Sequence, residues 1–404
     1  MKQKRYIRFV FFFTSFLFLS NSGVYSVYSV YAGGLFPHNT ARSLIGLGPD
    51  PDQSPSSASP TSAPASGYSE SIVNGKSHNV VLSSDCTSMA YVANRSVNRI
   101  GQIDVVNLES GEIKSHMVSI MSSDGPLALS PDGMLLAYAT DKEIIILNSG
   151  DGEVFQRRRF SSYHLVNSLV FSPDSNLLVS TSDASYIAAG GGGLEIWNLG
   201  SGAVLNLNNL NNLNNLDNLG RRVTSAVFSP DGAYLGVLSS LDFLAIDDGD
   251  YQRKIDIWEI KGGQKIKSID GAQVYSFGFT SDSKSLVFDD RSGKMSTLNF
   301  TVEGTVRAIC SRSGVCRNNG IKINGNKLFD FSSNGESLAF ADDQQIKILN
   351  LANGSIKSLY IPMPVHTHRS IHANWVTSLT FCSDGNSLAV VMRDGRVVIW
   401  RSSS

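Results

Sequence analysis

Three closely spaced histidines are the first candidates for chemistry in this sequence. His366, His368 and His372 are three of the seven histidines and lie within seven residues of one another. Imidazole nitrogens arranged in this way could bind zinc or copper. No carboxylate or thiol lies near them in the sequence to complete a set of ligands. We therefore expect no metal at this position.

An acidic run is a second candidate metal site. Asp247, Asp248 and Asp250 could supply oxygen ligands to a calcium ion. They lack the alternating acidic spacing and the distal glutamate of a known calcium-binding loop, so a solvated acidic turn is the simpler interpretation. The sequence also contains no nucleophile elbow, no phosphate-binding glycine loop before a helix and no paired-carboxylate motif. We expect no catalytic residue and no cofactor.

These candidate residues are carried by a chain of seven repeated units. Each unit contains a tight turn in which Asp or Asn precedes a small residue, and apolar strands with period two flank that turn. Such sheets must stack against copies of themselves to bury their faces. The seven turns are LSSDC at 82–86, LSPDG at 129–133, FSPDS at 171–175, FSPDG at 228–232, FTSDS at 279–283, FSSNG at 331–335 and FCSDG at 381–385.

The third strands of these units resemble those of a known family. Trp197, Trp258 and Trp400 close third strands in the segments LEIWNL, IDIWEI and VVIW. Together with the repeated turns, these strands resemble the WD-repeat β-propellers, in their bacterial type, over residues 68–404. The resemblance implies an all-β fold, a seven-bladed β-propeller whose blades are four-stranded sheets.

The resemblance also implies structural roles for several polar residues. In the family, a histidine ahead of the first strand, a turn aspartate and the third-strand tryptophan join a second-strand Ser or Thr in a buried hydrogen-bond network. His372, Asp394 and Trp400 match this pattern, but the second strand offers Val390 and Met392. We therefore interpret the chain as a degenerate propeller held mainly by packing. The same turn spacing recurs at Asp141 and Asp343.

The ends of the chain predict how the ring closes. The last unit ends with its third strand at 397–400, so its fourth strand is missing. An unpaired edge beside an incomplete sheet invites pairing. Residues 68–73 lie just ahead of the first unit and have no other partner, and we expect them to pair with 397–400.

The four cysteines leave two pairings open. Cys310 and Cys316 bracket a short polar segment and are candidates for a local disulfide in an oxidising compartment. Cys86 and Cys382 lie at equivalent turns of the first and seventh units, which are neighbours in a closed ring. Turn tips on adjacent blades usually lie more than about 7 Å apart, which disfavours the second pairing.

The first 67 residues differ in composition from the rest. Four basic residues precede the apolar run 9–19, an order typical of a signal peptide at 1–32 with cleavage after about residue 22 or 32. An uncleaved membrane anchor is the alternative. Residues 33–67 hold half of the twelve prolines and are predicted to form a disordered Pro/Ser-rich linker. We expect a periplasmic or secreted protein.

The balance of charge excludes a strongly basic or acidic protein. Lys and Arg number 34 and Asp and Glu 35, so no attraction to nucleic acid is expected. The basic run Arg157 to Arg159 falls in an outer strand, where it would discourage pairing between sheet edges. Membrane contact is expected only through an uncleaved signal segment.

Function is expected on one face of the propeller. First-to-second and third-to-fourth connections emerge on one face, and the remaining connections, which carry nearly all insertions, emerge on the other. Long loops on a rigid scaffold usually carry binding, so we expect a monomeric, non-catalytic scaffold that binds a protein or a glycan. The predicted insertions are 93–99, 183–193, 206–222, 241–253, 308–327 and 362–372.

Two alternatives remain at this point. A propeller lactonase or lyase would need polar or metal-binding groups converging on the axis, where the first strands point mostly small and apolar side chains and Asp330 is the exception. A subunit resembling the propeller of the Tol translocation system shares the FSPDG turn but has a preceding α/β domain that is absent here.

Overall fold

The computed structural model describes the greater part of the chain from residue 68 onward. Residues 1–67, with the predicted signal peptide and linker, lie outside the described part. Within the described residues, no helix is long and apolar enough to cross a membrane. The described ranges are 68–74, 80–95, 100–119, 125–140, 142–159, 166–182, 193–205, 221–241, 252–270, 274, 277–289, 295–301, 307–308, 329–342, 345–351, 353–360, 376–392 and 395–402.

The strands form seven four-stranded antiparallel sheets, which confirms the seven-bladed propeller. In blades one to six, the strands are hydrogen-bonded in chain order. Blade one contains β2 (Val80–Leu82), β3 (Ser88–Arg95), β4 (Ile100–Asn107) and β5 (Ile113–Ser119); blade two contains β6 (Leu127–Leu129), β7 (Leu135–Ala139), β8 (Glu143–Asn148) and β9 (Val154–Arg159). Blade three contains β10 (Val166–Phe171), β11 (Leu177–Ser182), β12 (Leu194–Asn198) and β13 (Val204–Leu205).

The remaining blades follow the same plan. Blade four contains β14 (Arg221–Phe228), β15 (Tyr234–Leu241), β16 (Gln252–Glu259) and β17 (Gln264–Asp270); blade five contains β18 (Phe277–Phe279), β19 (Ser285–Asp289), β20 (Met295–Asn299) and β21 (Arg307–Ala308). Blade six contains β22 (Phe329–Phe331), β23 (Ser337–Asp342), β24 (Gln345–Asn350) and β25 (Ile356–Tyr360). Blade seven contains β26 (Val376–Phe381), β27 (Leu388–Met392), β28 (Arg396–Ser402) and, from the start of the domain, β1 (Tyr68–Asn74).

The ring closes as the chain ends predicted. β1 is the outer strand of blade seven and pairs antiparallel with β28, from Tyr68 opposite Ser402 to Asn74 opposite Arg396. The backbone groups of β28 are therefore paired on both sides. An N-terminal strand thus completes a sheet whose other strands come from the C-terminus.

Several predicted insertions are shorter in the structure because the strands extend further than their apolar cores. Residues 93–95 belong to β3 and leave only 96–99 as the connection. The long β14–β15–β16 ladder likewise absorbs residues 221–222, 241 and 252–253. Backbone hydrogen bonding continues past the last buried residue, so polar residues extend these strands. Residue 308 lies in the outer strand β21.

Seven apolar clusters fill the seven interfaces between blades. At each interface, two diagonal positions on one sheet face combine one aromatic residue with one smaller residue. Blades three, four and seven place a third-strand tryptophan beside a small second-strand residue, whereas the other blades place a second-strand Tyr or Phe beside Val or Leu. The pairs, second strand first, are Tyr91/Val106, Tyr138/Leu147, Ser180/Trp197, Val237/Trp258, Phe288/Leu298, Phe340/Leu349 and Val390/Trp400.

In blades without a third-strand tryptophan, an aromatic residue on the second strand fills the equivalent space, which explains how these blades still fit the ring. Protein interiors are close-packed, so a missing indole must be replaced by an equal volume nearby. The position of Val390, where the family has Ser or Thr, holds a packing side chain in six blades and Ser180 in blade three. The interfaces of this propeller therefore depend on volume at that position.

Candidate functional site

The connections between strands divide the propeller into two faces. We call the face that carries the first-to-second and third-to-fourth connections the short-turn face, and the opposite face the long-loop face. The first-to-second connections of the short-turn face are 83–87, 130–134, 172–176, 229–233, 280–284, 332–336 and 382–387. The longer connections of the long-loop face are 183–193, 206–220, 242–251, 309–328 and 361–375, and nearly all of these residues lie outside the described ranges.

Each first-to-second turn of the short-turn face is built around an aspartate or, in blade six, around Asn334. In blade two, Ser130 Oγ donates to Asp132 Oδ1 at 2.5 Å, and the backbone N–H of Met134 donates to the same oxygen at 3.0 Å. Burial acts to raise the pKa of Asp132, but these donors outweigh it and hold the pKa below its usual value. The hydroxyl and carboxylate of the turn are thus occupied by local structure, and the motif is a folding element.

Neighbouring turns also contact one another around the axis. The backbone N–H of Ser383 donates to Ser84 O at 2.7 Å, and the N–H of Ser84 donates to Pro131 O at 3.2 Å. On the opposite side of the ring, Ser283 Oγ accepts from the N–H of Asp231 at 3.1 Å. These contacts draw adjacent turns together into a belt on the short-turn face.

A disulfide joins Cys86 to Cys382 within this belt. Their Cα atoms lie 5.4 Å apart, within the range that a disulfide spans. The expectation that turn tips on adjacent blades lie too far apart is wrong here, because the Ser383 to Ser84 hydrogen bond holds these two turns close together. Cys310 and Cys316, the favoured pair from the sequence, lie outside the described residues.

Asp330 connects the innermost strands of blades six and seven. Its Oδ2 accepts hydrogen bonds from the N–H of Phe381 at 2.7 Å and from Thr380 Oγ1 at 3.1 Å, and its Oδ1 accepts from the N–H of Phe331 at 2.9 Å. Burial raises the pKa of Asp330 to about 6, against the effect of these three donors. Although the sequence singled out Asp330 as an axial group, the structure uses it to join two blades.

The raised pKa of Asp330 predicts a specific dependence of stability on pH. Between about pH 4 and pH 6 the folded state holds a proton that the unfolded state has lost, so stability falls as pH rises through this window. Relative to Asp330→Asn, which keeps an acceptor for Phe381, we expect the wild-type free energy of unfolding to fall by about 1 kcal/mol from pH 5 to pH 7. Urea unfolding at both pH values measures this difference. Parallel pH profiles for the two proteins would contradict the assignment.

Two buried carboxylates, Asp104 and Asp256, were not predicted from the sequence because they lie inside third strands. Asp104 Oδ1 accepts from Gln102 Nε2 at 2.6 Å and from Ser115 Oγ at 2.7 Å. Asp256 Oδ1 accepts from Ser268 Oγ and lies 3.5 Å from Lys254 Nζ. An Ile-Asp pair in a third strand with serine in the fourth strand marks both sites. Their hydrogen bonds satisfy them as structural groups.

The structure places the other predicted residues as follows. Trp197, Trp258 and Trp400 are buried at blade interfaces. Trp197 Nε1 donates to Glu195 Oε2 at 3.3 Å. No group of three or more metal-ligating side chains is found among the described residues. The residues outside the described ranges are His366, His368, His372, Asp394, Asp141, Asp343, Asp247, Asp248 and Asp250, so the family network and the expected absence of metal at the two candidate positions stay predictions.

The basic run of the outer strand β9 is paired with acidic side chains. Arg157 and Arg159 lie 3.6 Å and 3.4 Å from the carboxylate of Glu143, and Arg158 lies 3.4 Å from that of Glu195 in blade three. Exposed ion pairs of this kind contribute little stability. They reduce the net charge of the strand, which agrees with its interpretation as a solvated sheet edge.

Comparison with known proteins agrees with this geometry. The family described as WD domain, G-beta repeat matches residues 156–190 and 363–401. The crystal structure of the Cps50 (Swd1) β-propeller domain of Myceliophteria thermophila is similar with a TM-score of 0.55 at 15% identity, over 83% of this chain and 100% of that one. The chain is a seven-bladed β-propeller, and two of its segments match the WD-repeat family.

Other similar proteins share the fold or part of the sequence. Hydrazine synthase of Kuenenia stuttgartiensis has a TM-score of 0.52 at 12% identity, over 86% of this propeller chain and 99% of that one, which shows likeness of fold alone. Autophagy-related protein 18 of Scheffersomyces stipitis is 29% identical over 154 residues, 37% of this chain and 27% of that protein. SVP1-like protein 2 of Emericella nidulans is 33% identical over 93 residues, 22% of this chain and 28% of that protein.

The chain covers about a quarter of the length of each of these two relatives. Both relatives are from fungi, and the assignment of this propeller to a bacterial type stays a prediction.

Proposed function

We propose that this WD-repeat propeller is an exported, non-catalytic scaffold that binds a protein partner through its long-loop face. The observation that carries the proposal is the unequal length of the connections on the two faces. The first-to-second turns all have the same short form and are occupied by their own hydrogen bonds, whereas the chain between strands is long at 183–193, 206–220, 242–251, 309–328 and 361–375.

Export is supported by the disulfide and by the N-terminal sequence. A disulfide between residues 296 positions apart is expected of a protein that matures in an oxidising compartment. The basic residues and apolar run at the start of the chain have the order of a signal peptide. The two features are independent, since one lies in the fold and the other in the leader.

The absence of catalysis is supported by the state of the carboxylates. Asp330 is bonded to the backbone of blade seven, and Asp132 is bonded within its own turn. A catalytic acid or base needs a free oxygen directed at a substrate. The alternative of a propeller lactonase or lyase would require polar or metal-binding groups that converge on the axis, and no observation in the described residues favours it.

Shortening two connections of the long-loop face, with substitutions on the short-turn face as the control, tests the proposal. Residues 184–192 and 242–251 are replaced by Asn-Gly turns in one variant, and the exposed Glu109 and Glu112 of the short-turn face are changed to Gln in a matched control. Both variants should melt close to the wild-type temperature, because neither removes a buried side chain of the described domain. In affinity capture from the native source, we expect the loop variant alone to lose the proteins that the wild type retains. Retention of every such protein by the loop variant would refute the assignment of the binding face.

A further inference from the structure

Both cysteines of the disulfide occupy positions that the other turns give to different residues. Cys86 replaces the glycine found at Gly133, Gly232, Gly335 and Gly385, and it has a φ of 55°. This left-handed conformation is unfavourable for a residue with a Cβ atom. The turn of blade one therefore loses local stability by carrying Cys86 there, as do the turns of blades three and five with Ser175 and Ser283, but in blade one the disulfide can compensate for the loss.

Cys382 replaces the hydroxyl residue at the start of the turn. In blades two, three and four a serine at this position donates to the turn aspartate, as Ser130 does to Asp132. In blade seven the donor to Asp384 is instead Ser387 Oγ, at 2.6 Å. A second side chain has thus taken over the hydrogen bond that Cys382 cannot make, which leaves the sulfur free for its partner.

The disulfide joins blade one to the part of blade seven that comes from the C-terminus. Strand β1 belongs to blade seven and is followed in the chain by β2 of blade one, whereas β26 to β28 have no direct chain connection to blade one. We call the junction of these three strands with β1 and blade one the seam. It is held by the apolar cluster that includes Tyr91 and Val391, by the Ser383 to Ser84 hydrogen bond, and by the pairing of β1 with β28. The pairing of β1 with β28 holds the outer edge of the seam, which we call its rim. The disulfide joins the first-to-second turns of blades one and seven, nearer the axis.

Burial protects the disulfide while the seam is closed. Cys86 is 4% exposed and Cys382 is 2% exposed, so a reductant in solution does not reach either sulfur in the closed ring. Attack by a thiolate requires access to one of the two sulfurs. The rate of reduction under native conditions therefore reports how often the two turns move far enough to expose one of the sulfurs.

We propose that the Cys86–Cys382 disulfide is a redox latch that holds the seam between blades one and seven closed, and that its reduction allows this seam to open while the other blades stay packed. The latch forms when two cysteine thiols exchange with the disulfide of an oxidoreductase, which accepts the two electrons and two protons and leaves as a dithiol. A dithiol reductant reverses the step, becomes a disulfide itself and returns both cysteines to thiols.

The test measures reduction and hydrogen exchange on the purified, oxidised protein. Dithiothreitol is added under native conditions, and free thiols are counted over time by alkylation and mass spectrometry. Two variants weaken the rim to different degrees. Ser69→Pro and Glu70→Pro are neighbours on β1, and since alternate N–H groups of an outer strand point away from the sheet, one of the two prolines removes a hydrogen bond to β28 and the other removes none.

If the disulfide acts as a latch, the two proline variants should differ in their rates of disulfide reduction. One of the two prolines should accelerate reduction about tenfold or more over the wild type, and the other should change it less than about twofold. After reduction, amide exchange should increase in 82–88, 381–388 and β1, while the amides of β14 to β16 in blade four stay protected. Air oxidation or oxidised glutathione should restore the original exchange. Equal rates in all three proteins, or exchange that increases equally in every blade, would overturn the proposal.

Discussion

Removal of β1 should cause a large loss of stability. A chain that begins at residue 76 lacks the seven residues that pair with β28 and leaves the outer edge of blade seven unpaired. Net contributions of about 1 kcal/mol per hydrogen bond predict a loss of about 3–5 kcal/mol in the free energy of unfolding. Calorimetry and urea unfolding measure the loss.

The matched control for this deletion begins the chain at residue 60. It removes the predicted signal peptide and most of the linker but keeps β1 and its register with β28. We expect the control to melt within about 2 °C of the protein that begins at residue 33, because it loses no strand. Equal melting temperatures for the two truncations would show that β1 does not close the ring.

The second large effect concerns the aromatic side chains at the blade interfaces. Trp258 is 2% exposed in the interface of blades three and four, and replacing it with Ala should cost about 3–5 kcal/mol, since the cavity cannot be filled by its neighbours. In blade seven, the same rule predicts that a larger side chain on the second strand can compensate for loss of the third-strand tryptophan.

In blade seven, a larger side chain on the second strand can fill the space left by loss of Trp400. Trp400→Leu removes the indole, and Val390→Phe then reproduces the Phe340 and Leu349 pair of blade six. We expect the double variant to recover at least about half of the stability that the single variant loses. Val391→Phe is the control, because Val391 faces the interface with blade one and cannot fill the space. Urea unfolding that shows equal rescue by both phenylalanines would contradict the volume rule.

The sequence predicted the blades because their signal is local. A turn such as 129–133 is recognised by Ser, Asp and Gly at fixed spacing. The strands on each side of it are recognised by their alternating apolar residues. The pairing of β1 with β28 was also predictable, because counting strands from the C-terminus leaves one edge without a partner. Both arguments need only the order of residues along the chain.

Contacts between blades were harder to predict. The partner of Cys86 lies 296 positions away, and only the hydrogen bonds between neighbouring turns bring Cys382 within reach. The role of Asp330 depends on a backbone N–H in the next blade, which no motif marks. The aromatic residues can be seen in segments such as SLAFAD. The residue that each one pairs with is known only once the register between the strands is known.

The spatial arrangement of the candidate metal ligands in the long connections does not follow from the sequence. The histidines at 366–372 and the aspartates at 247–250 lie in connections outside the described residues. Their neighbours in space depend on how several long connections meet, which period and turn chemistry do not specify. The proposed binding face therefore rests on the positions of the strand ends that carry these connections.

Disulfide mapping of the protein from its native compartment tests the closed ring most directly. Proteolysis without reductant, followed by mass spectrometry, should yield one peptide pair that joins the segment around Cys86 to the segment around Cys382. That link can form only if the first and seventh blades are neighbours and their turns lie on the same face. Recovery of both cysteines as free thiols from folded protein, or of either one bonded to Cys310 or Cys316, would contradict the account.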